Sequence, residues 1–297
     1  MRALGSRILL GVSLYTLADD LPDLRDAVLV ASFDGWVDAA EAASGAVSHV
    51  AGHGRLLATF DPDALFDYRS RRPILDVNDG RLSDLSWPDL TIRHVRAGER
   101  DLLVFSGAEP DLRWRELAGD VAELAGRLDV TQWISLGAVP AAVPHTRPVP
   151  VLATASRDGL LAAGETQGPE GLLRVPSAAI SALEMAVSAA GTPAVGFFAQ
   201  VPPYASVGYA AASIALLDRL GGHLGVAFDV DALVAEEREQ RARYDAAMTG
   251  DAILRETVSR LEEMVGDAAA ERLPSGDELA REIQRFLNDR PDEAGPP

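Results

Sequence analysis

Short runs rich in Val, Ile, Leu and Phe, bounded by turn residues and separated by helix-length amphipathic segments, constrain this chain more than any other feature. Runs of this kind at Val28–Phe33, Arg55–Phe60, Thr91–Val95, Asp101–Ser106, Gln132–Gly137, Val151–Ser156 and Ala194–Ala199 predict strands. The segments Val37–Val50, Leu112–Leu128, Ala178–Ala190 and Ala205–Leu220 predict helices. Strands that are apolar throughout must be covered on both faces, the condition met by a parallel sheet between two helix layers. The expected fold is a three-layer α/β/α domain with a mostly parallel sheet. With 297 residues, 47% of them hydrophobic, the chain can fill one large core and carry an appendage.

Turn and cap chemistry supports these boundaries. Ser177 stands where an N-cap is needed before the third helix, and Gly35, Gly107 and Gly137 follow the carboxyl ends of strands. In an open α/β sheet that rim is where ligands bind. The core domain is read as residues 1–228. From 229 onward the chain holds 18 acidic and 9 basic residues, half of the net charge of −18 in under a quarter of the length. This acidic extension, 229–290, reads as three helices: Val230–Met248, a second after Asp251, and a third opening with the capping box Ser275-Gly-Asp-Glu278. Residues 291–297 read as a disordered tail.

The composition removes whole classes of chemistry. There is no Cys, hence no disulfide, zinc-thiolate site, iron-sulfur cluster or thiol nucleophile. There is no Lys either, so all 27 basic residues are Arg, and neither a G-K-[ST] phosphate loop nor a Schiff base can form. A net charge of −18 opposes nucleic acid and anionic membranes as partners. Arg2 and Arg7 before the apolar run Ile8–Tyr15 imitate a signal peptide, but the run ends at Asp19-Asp20 without a small-residue cleavage site. That run is read as a first strand or docking segment of a cytoplasmic protein. His49 and His53 have metal spacing without an accompanying Glu, and no G-x-S-x-G elbow occurs, so neither a metal nor a cofactor is expected.

Three stretches carry the candidate site residues. Asp34, Gly35, Trp36 and Asp38 stand where a strand turns into a helix; Asp38 there is first of all a helix cap, and Gly35 serves a special φ or a close backbone approach. Asp67, Tyr68, Arg69 and Arg72 belong to the densest polar-aromatic segment, whose arginines are either neutralised by Asp61, Asp63 and Asp67 or reserved for an anion or an oligomer contact. Glu109, Asp111 and Trp114 follow one strand, and His145 and Arg147 follow another in a proline-rich loop. Convergence of Glu109, Asp111, His145 and Arg147 at one rim would make an acid-base pair or a polar pocket; the alternative is that they tie down loop backbone.

The order of Phe33-Asp34-Gly35-Trp36-Val37-Asp38-Ala39, Asp61-Pro62-Asp63 to Arg72-Pro73, Gly107-Ala108-Glu109-Pro110-Asp111 with Trp114, Gly137–Pro140 with Val143–Pro148, and Val201-Pro202-Pro203-Tyr204 resembles the actinobacterial branch of the proteasome assembly chaperone 2 family. The resemblance spans about residues 10–225. It implies a purine-nucleoside-phosphorylase-like α/β/α fold and a homo-oligomer, with a trimer as the working count. It also implies a proteasome-related protein partner, since relatives bind proteasome α subunits through a hydrophobic-Tyr-X tail. This chain ends Asp292-Glu293-Ala294-Gly295-Pro296-Pro297, without that Tyr. Relatives labelled ATP-grasp ligases use lysine, which is missing here. The leading expectation is a non-catalytic assembly scaffold whose site includes Tyr204. The alternative is a small-molecule protein, of nucleoside- or sugar-phosphate type, that binds or turns over its ligand at the polar rim.

Overall fold

The computed structural model describes residues 13–268 apart from 53, 164 and 170. Its middle layer is a nine-stranded sheet. The four central strands, β7 (Arg100–Ala108), β2 (Val28–Asp34), β8 (Gln132–Pro140) and β11 (Ala194–Val201), lie in that order and are all parallel. These are the runs with the most continuous apolar sequence, and six of the seven residues of β2 are buried.

On one flank β6 (Leu90–Ala97), β3 (Arg55–Phe60) and β1 (Tyr15–Leu17) continue the sheet antiparallel; on the other β9 (Val151–Ala155) pairs antiparallel with β11, and β10 (Thr166–Gln167) closes the edge. Strands β7 and β8 run through Gly107, expected just beyond a strand end, and through Gly137, expected at one. The missing Cβ is what permits this: one built on Gly137 would stand 2.6 Å from the Phe198 ring.

Helices α1 (Ala42–Ala51) and α5 (Ala210–Leu224) cover one face of the sheet, and α3 (Trp114–Arg127) and α4 (Ala179–Ala189) the other. A short α2 (Pro62–Leu65) is capped by Asp61. The two faces bury separate clusters, one centred on Phe105, Trp133 and Leu117, the other on Val30, Phe197 and Leu216. In the acidic extension α6 (Asp231–Gly250) lies against α5, and α7 (Ala252–Ala268) buries Val258 and Leu261. The helix expected at Ser275 and the tail 291–297 lie outside the described residues.

Besides the two-residue β10, one larger element has no counterpart among the expected strands. Strands β4 (Ile74–Asn78) and β5 (Arg81–Ser86) form a separate hairpin around Asp79-Gly80, both at positive φ. Asp-Gly between strands is a strong hairpin signal. It goes unread because Asp, Asn and Ser interrupt the apolar pattern and every residue of both strands is exposed.

Candidate functional site

Strands β2 and β7 end side by side, with Asp34 in register with Ala108. The next residues therefore emerge together, and the Glu109 N–H donates to the Asp34 carbonyl at 3.0 Å. The Glu109 carboxylate then joins two elements: Oε2 accepts from the Trp36 N–H at 2.8 Å and Oε1 from the Ala179 N–H, at the start of α4, at 2.7 Å. A helix start presents unpaired N–H groups and partial positive charge, which an ionised carboxylate satisfies well. The cap of α4 is thus Glu109, seventy residues away in sequence. Ser177, expected to cap it, instead donates its hydroxyl proton to the Ala178 carbonyl. Gly35 is needed for close approach, since a Cβ there would meet Glu109 Oε2 at 2.2 Å.

Asp34 forms an ion pair with Arg71 at 2.9 Å, and its carbonyl accepts from the same guanidinium at 3.0 Å. The arginine cluster is therefore not neutralised by its neighbouring aspartates. Asp61 caps α2, Asp63 accepts the Tyr68 hydroxyl at 2.6 Å, and Asp67 accepts the Arg69 N–H. The Asp63 bond pushes the Tyr68 pKa up to about 12, and the ring sits edge-on to Trp87. The Asp67 N–H donates to Asp111 at 2.9 Å, and the Trp114 indole donates to the Pro110 carbonyl. Arg69 and Arg72 make no ion pair among the described residues. Trp36 projects outward, 65% exposed.

Asp38 is buried and acts as the expected cap: its Oδ1 accepts from the Ala43 and Ser44 N–H groups at 2.8 and 3.1 Å. Burial pushes its pKa upward despite these bonds. Between cap and helix the chain makes a 3-10 turn at Ala39–Glu41, with Ala40 and Glu41 at positive φ.

His145 and Tyr204 belong to a different assembly. The His145 N–H donates to Tyr204 Oη at 2.8 Å, and that hydroxyl also lies 2.8 Å from His145 Nδ1. With the Tyr204 proton directed to Nδ1, the other ring nitrogen carries hydrogen toward Asp245 on α6 at 3.3 Å. Arg241 donates to the His145 carbonyl, Tyr244 packs on His145 and Tyr204, and Thr146 donates to Glu262 on α7. This clasp, built around the buried His145, ties the acidic helices to the core. Arg147 lies exposed beside it, without an ion pair among the described residues. Tyr204→Phe removes the acceptor for a buried N–H and is expected to cost about 1–2 kcal/mol. Urea unfolding would show this as a lower midpoint at unchanged far-UV circular dichroism; an unchanged midpoint would refute the clasp.

The residues expected to converge are thus divided. Asp34, Glu109, Asp111 and their neighbours share the β2–β7 rim, whereas His145 faces α6. Among the described residues no group of three His, Asp or Glu side chains is arranged to hold a metal. His49 is bonded to the Asp229 carbonyl, and His53 lies outside the described residues. The rim opens into a cleft of about 590 Å³ between α1, the ends of β2, β6 and β7, and the base of the hairpin. Its floor holds Ser32, Thr91, Arg93 and Ser106, none of them among the candidate site residues. Their only sequence signal is a polar residue inside an apolar strand.

The PAC2 family profile matches residues 32–248, a span that includes the rim and the clasp as far as α6. The chain belongs to the PAC2 family. A Mycobacterium tuberculosis protein of unknown function is 31% identical to it, with a TM-score of 0.81 over 87% of this chain and 93% of that one. A Mycobacterium tuberculosis proteasome-assembly chaperone homologue is 33% identical, with a TM-score of 0.71 over 78% and 99%. Pyrococcus furiosus PbaB, an archaeal proteasome activator, shares the fold at 15% identity, with a TM-score of 0.62 over 80% and 99%. No curated protein gives a significant match. The family resemblance legible in the five motifs therefore holds, and with it the α/β/α architecture. No helix among the described residues of this PAC2 protein is long and apolar enough to cross a membrane.

Proposed function

We propose that this PAC2 protein is a non-catalytic, cytoplasmic assembly scaffold that works as a homo-oligomer, with a trimer as the working count, and engages a proteasome-related protein. The observation that carries the reading is the β4–β5 hairpin. Ile74 and Leu82 are 68% and 74% exposed, and Leu75, Val77 and Leu85 are exposed beside them. A free-standing two-stranded hairpin is at best marginally stable in water, so its apolar side chains call for a cover. Asp76, Asp84 and Arg81 on the same hairpin let one copy complement another in charge, as a self-associating surface requires. Support also comes from the rim, where both carboxylate oxygens of Glu109 are occupied by backbone N–H groups.

The test is the mass of the purified protein in solution. Wild type is expected to be oligomeric, and an Ile74→Asp/Leu82→Asp double variant is expected to run as a monomer with an unchanged circular dichroism spectrum. A monomeric wild type, or an oligomer indifferent to both substitutions, would overturn the self-association. The partner is tested separately, by interferometry between the oligomer and purified proteasome α subunits of the same organism. Lack of a saturable signal would remove the proteasome from the proposal.

A further inference from the structure

The 590 Å³ cleft contains a feature that the assembly reading does not use. Ser32 on β2 is in register with Ser106 on β7, and Ser106 with Thr91 on β6. Partners in register point to the same face of a sheet, so the three hydroxyls form one rung across three adjacent strands. None of them has a hydrogen-bond partner among the described residues, and Ser32 Oγ is fully buried as well as unbonded. Burying the Ser32 hydroxyl unsatisfied costs about 1–3 kcal/mol, and Val or Ala at that position would avoid the cost. Elsewhere the central strands carry such apolar residues, as at Val30 and Val104 on the same face.

The charges around the rung point to the kind of molecule that completes it. Arg71 is held by Asp34, but Arg72 at the mouth and Arg93 on the floor make no ion pair among the described residues. Among the described residues Arg93 is anchored only by a bond to the Gly54 carbonyl at 3.1 Å. The cleft sets Arg71, Arg72 and Arg93 against Asp34 and Asp89, and with Arg71 held by Asp34 the two remaining arginine forks outnumber the one remaining carboxylate, which in a chain of net charge −18 makes a local site for an oxyanion. The rung offers donors and acceptors to hydroxyls. The cleft volume lies within the range of about 300–1,000 Å³ usual for small-molecule sites.

We propose that this cleft binds a phosphorylated polyol of the size of a pentose or hexose phosphate. The phosphoryl group lies toward Arg72, and the hydroxylated body lies on Ser32, Ser106 and Thr91. Ile74 and Ser86 at the base of the hairpin line the mouth of the cleft, and the clasp lies apart from it. Sugar-phosphate binding and oligomer mass are separate readouts, so either proposal can fail alone.

Titration calorimetry of the full chain with ribose 5-phosphate and glucose 6-phosphate, and with ribose and inorganic phosphate as separate probes, tests it. At least one sugar phosphate is expected to bind at millimolar concentration or below, and about tenfold tighter than ribose or phosphate alone. Arg72→Gln is expected to weaken it about tenfold, in keeping with a charge-assisted contact. Ser32→Ala is expected to weaken it about fivefold while leaving the melting temperature of the free protein equal or higher, because a buried unsatisfied hydroxyl has been removed. The unliganded stability of Ser32→Ala separates a ligand contact from a structural one. Silence with both sugar phosphates would overturn the proposal, as would binding untouched by both variants or equal affinity for unphosphorylated ribose.

Discussion

Replacing Glu109 by Ala is expected to lower the stability of the protein by about 2–4 kcal/mol, far more than a surface carboxylate normally contributes. The carboxylate accepts from two backbone N–H groups on separate elements, at Trp36 after β2 and at Ala179 at the start of α4. Its loss leaves the α4 start uncapped and opens the space that Gly35 keeps clear. Glu109→Gln retains one acceptor oxygen and the side-chain volume, and so should lose roughly half as much. Thermal and urea unfolding of the two variants give the comparison. If both behave as wild type, the carboxylate is not a brace, and its place at the rim would have to be explained by a ligand.

Gly107→Ala should be more damaging still, costing above about 4 kcal/mol or abolishing soluble expression. Gly107 has φ +141°, and a Cβ there would stand 2.2 Å from the Asp89 carbonyl oxygen and 2.9 Å from Leu90 Cα. These are backbone atoms of the neighbouring strand, and the same carbonyl accepts from the Ala108 N–H at 2.9 Å. Relief requires the β6–β7 register itself to move. Gly137→Ala meets a Phe198 ring that can turn aside, so it should cost less. Gly80→Ala, at φ +76° with open space around it, should cost only the left-handed penalty of about 1–2 kcal/mol. Equal melting temperatures for the Gly107 and Gly80 variants would show that strand contact is not what fixes the glycine.

Much of the layer structure is legible from residue pattern alone. The run Val28–Phe33 is apolar at nearly every position and can only be a strand buried on both faces; it proves to be β2, at the centre of the parallel strands. Asp38 is also readable, because a carboxylate just before an Ala-rich helix has a local task, and it performs that task on Ala43 and Ser44. Glu109 shows where local reading ends. Nothing near it in sequence indicates that its partners are Trp36 and Ala179, because those contacts arise from strand register and helix placement.

The same division accounts for the two groups of polar residues. Five short motifs, in order, determine the family, and alternating apolar strands and helices determine the α/β/α layers, because burial of backbone and side chain in that pattern leaves few alternatives. Only the tertiary structure decides that His145 turns to α6 while Glu109 stays with Asp34, and that Ser32, Ser106 and Thr91 fall into one rung. Sequence fixes period and polarity along one strand at a time. Which residues of different strands become neighbours depends on register, and register is settled only when the whole sheet packs.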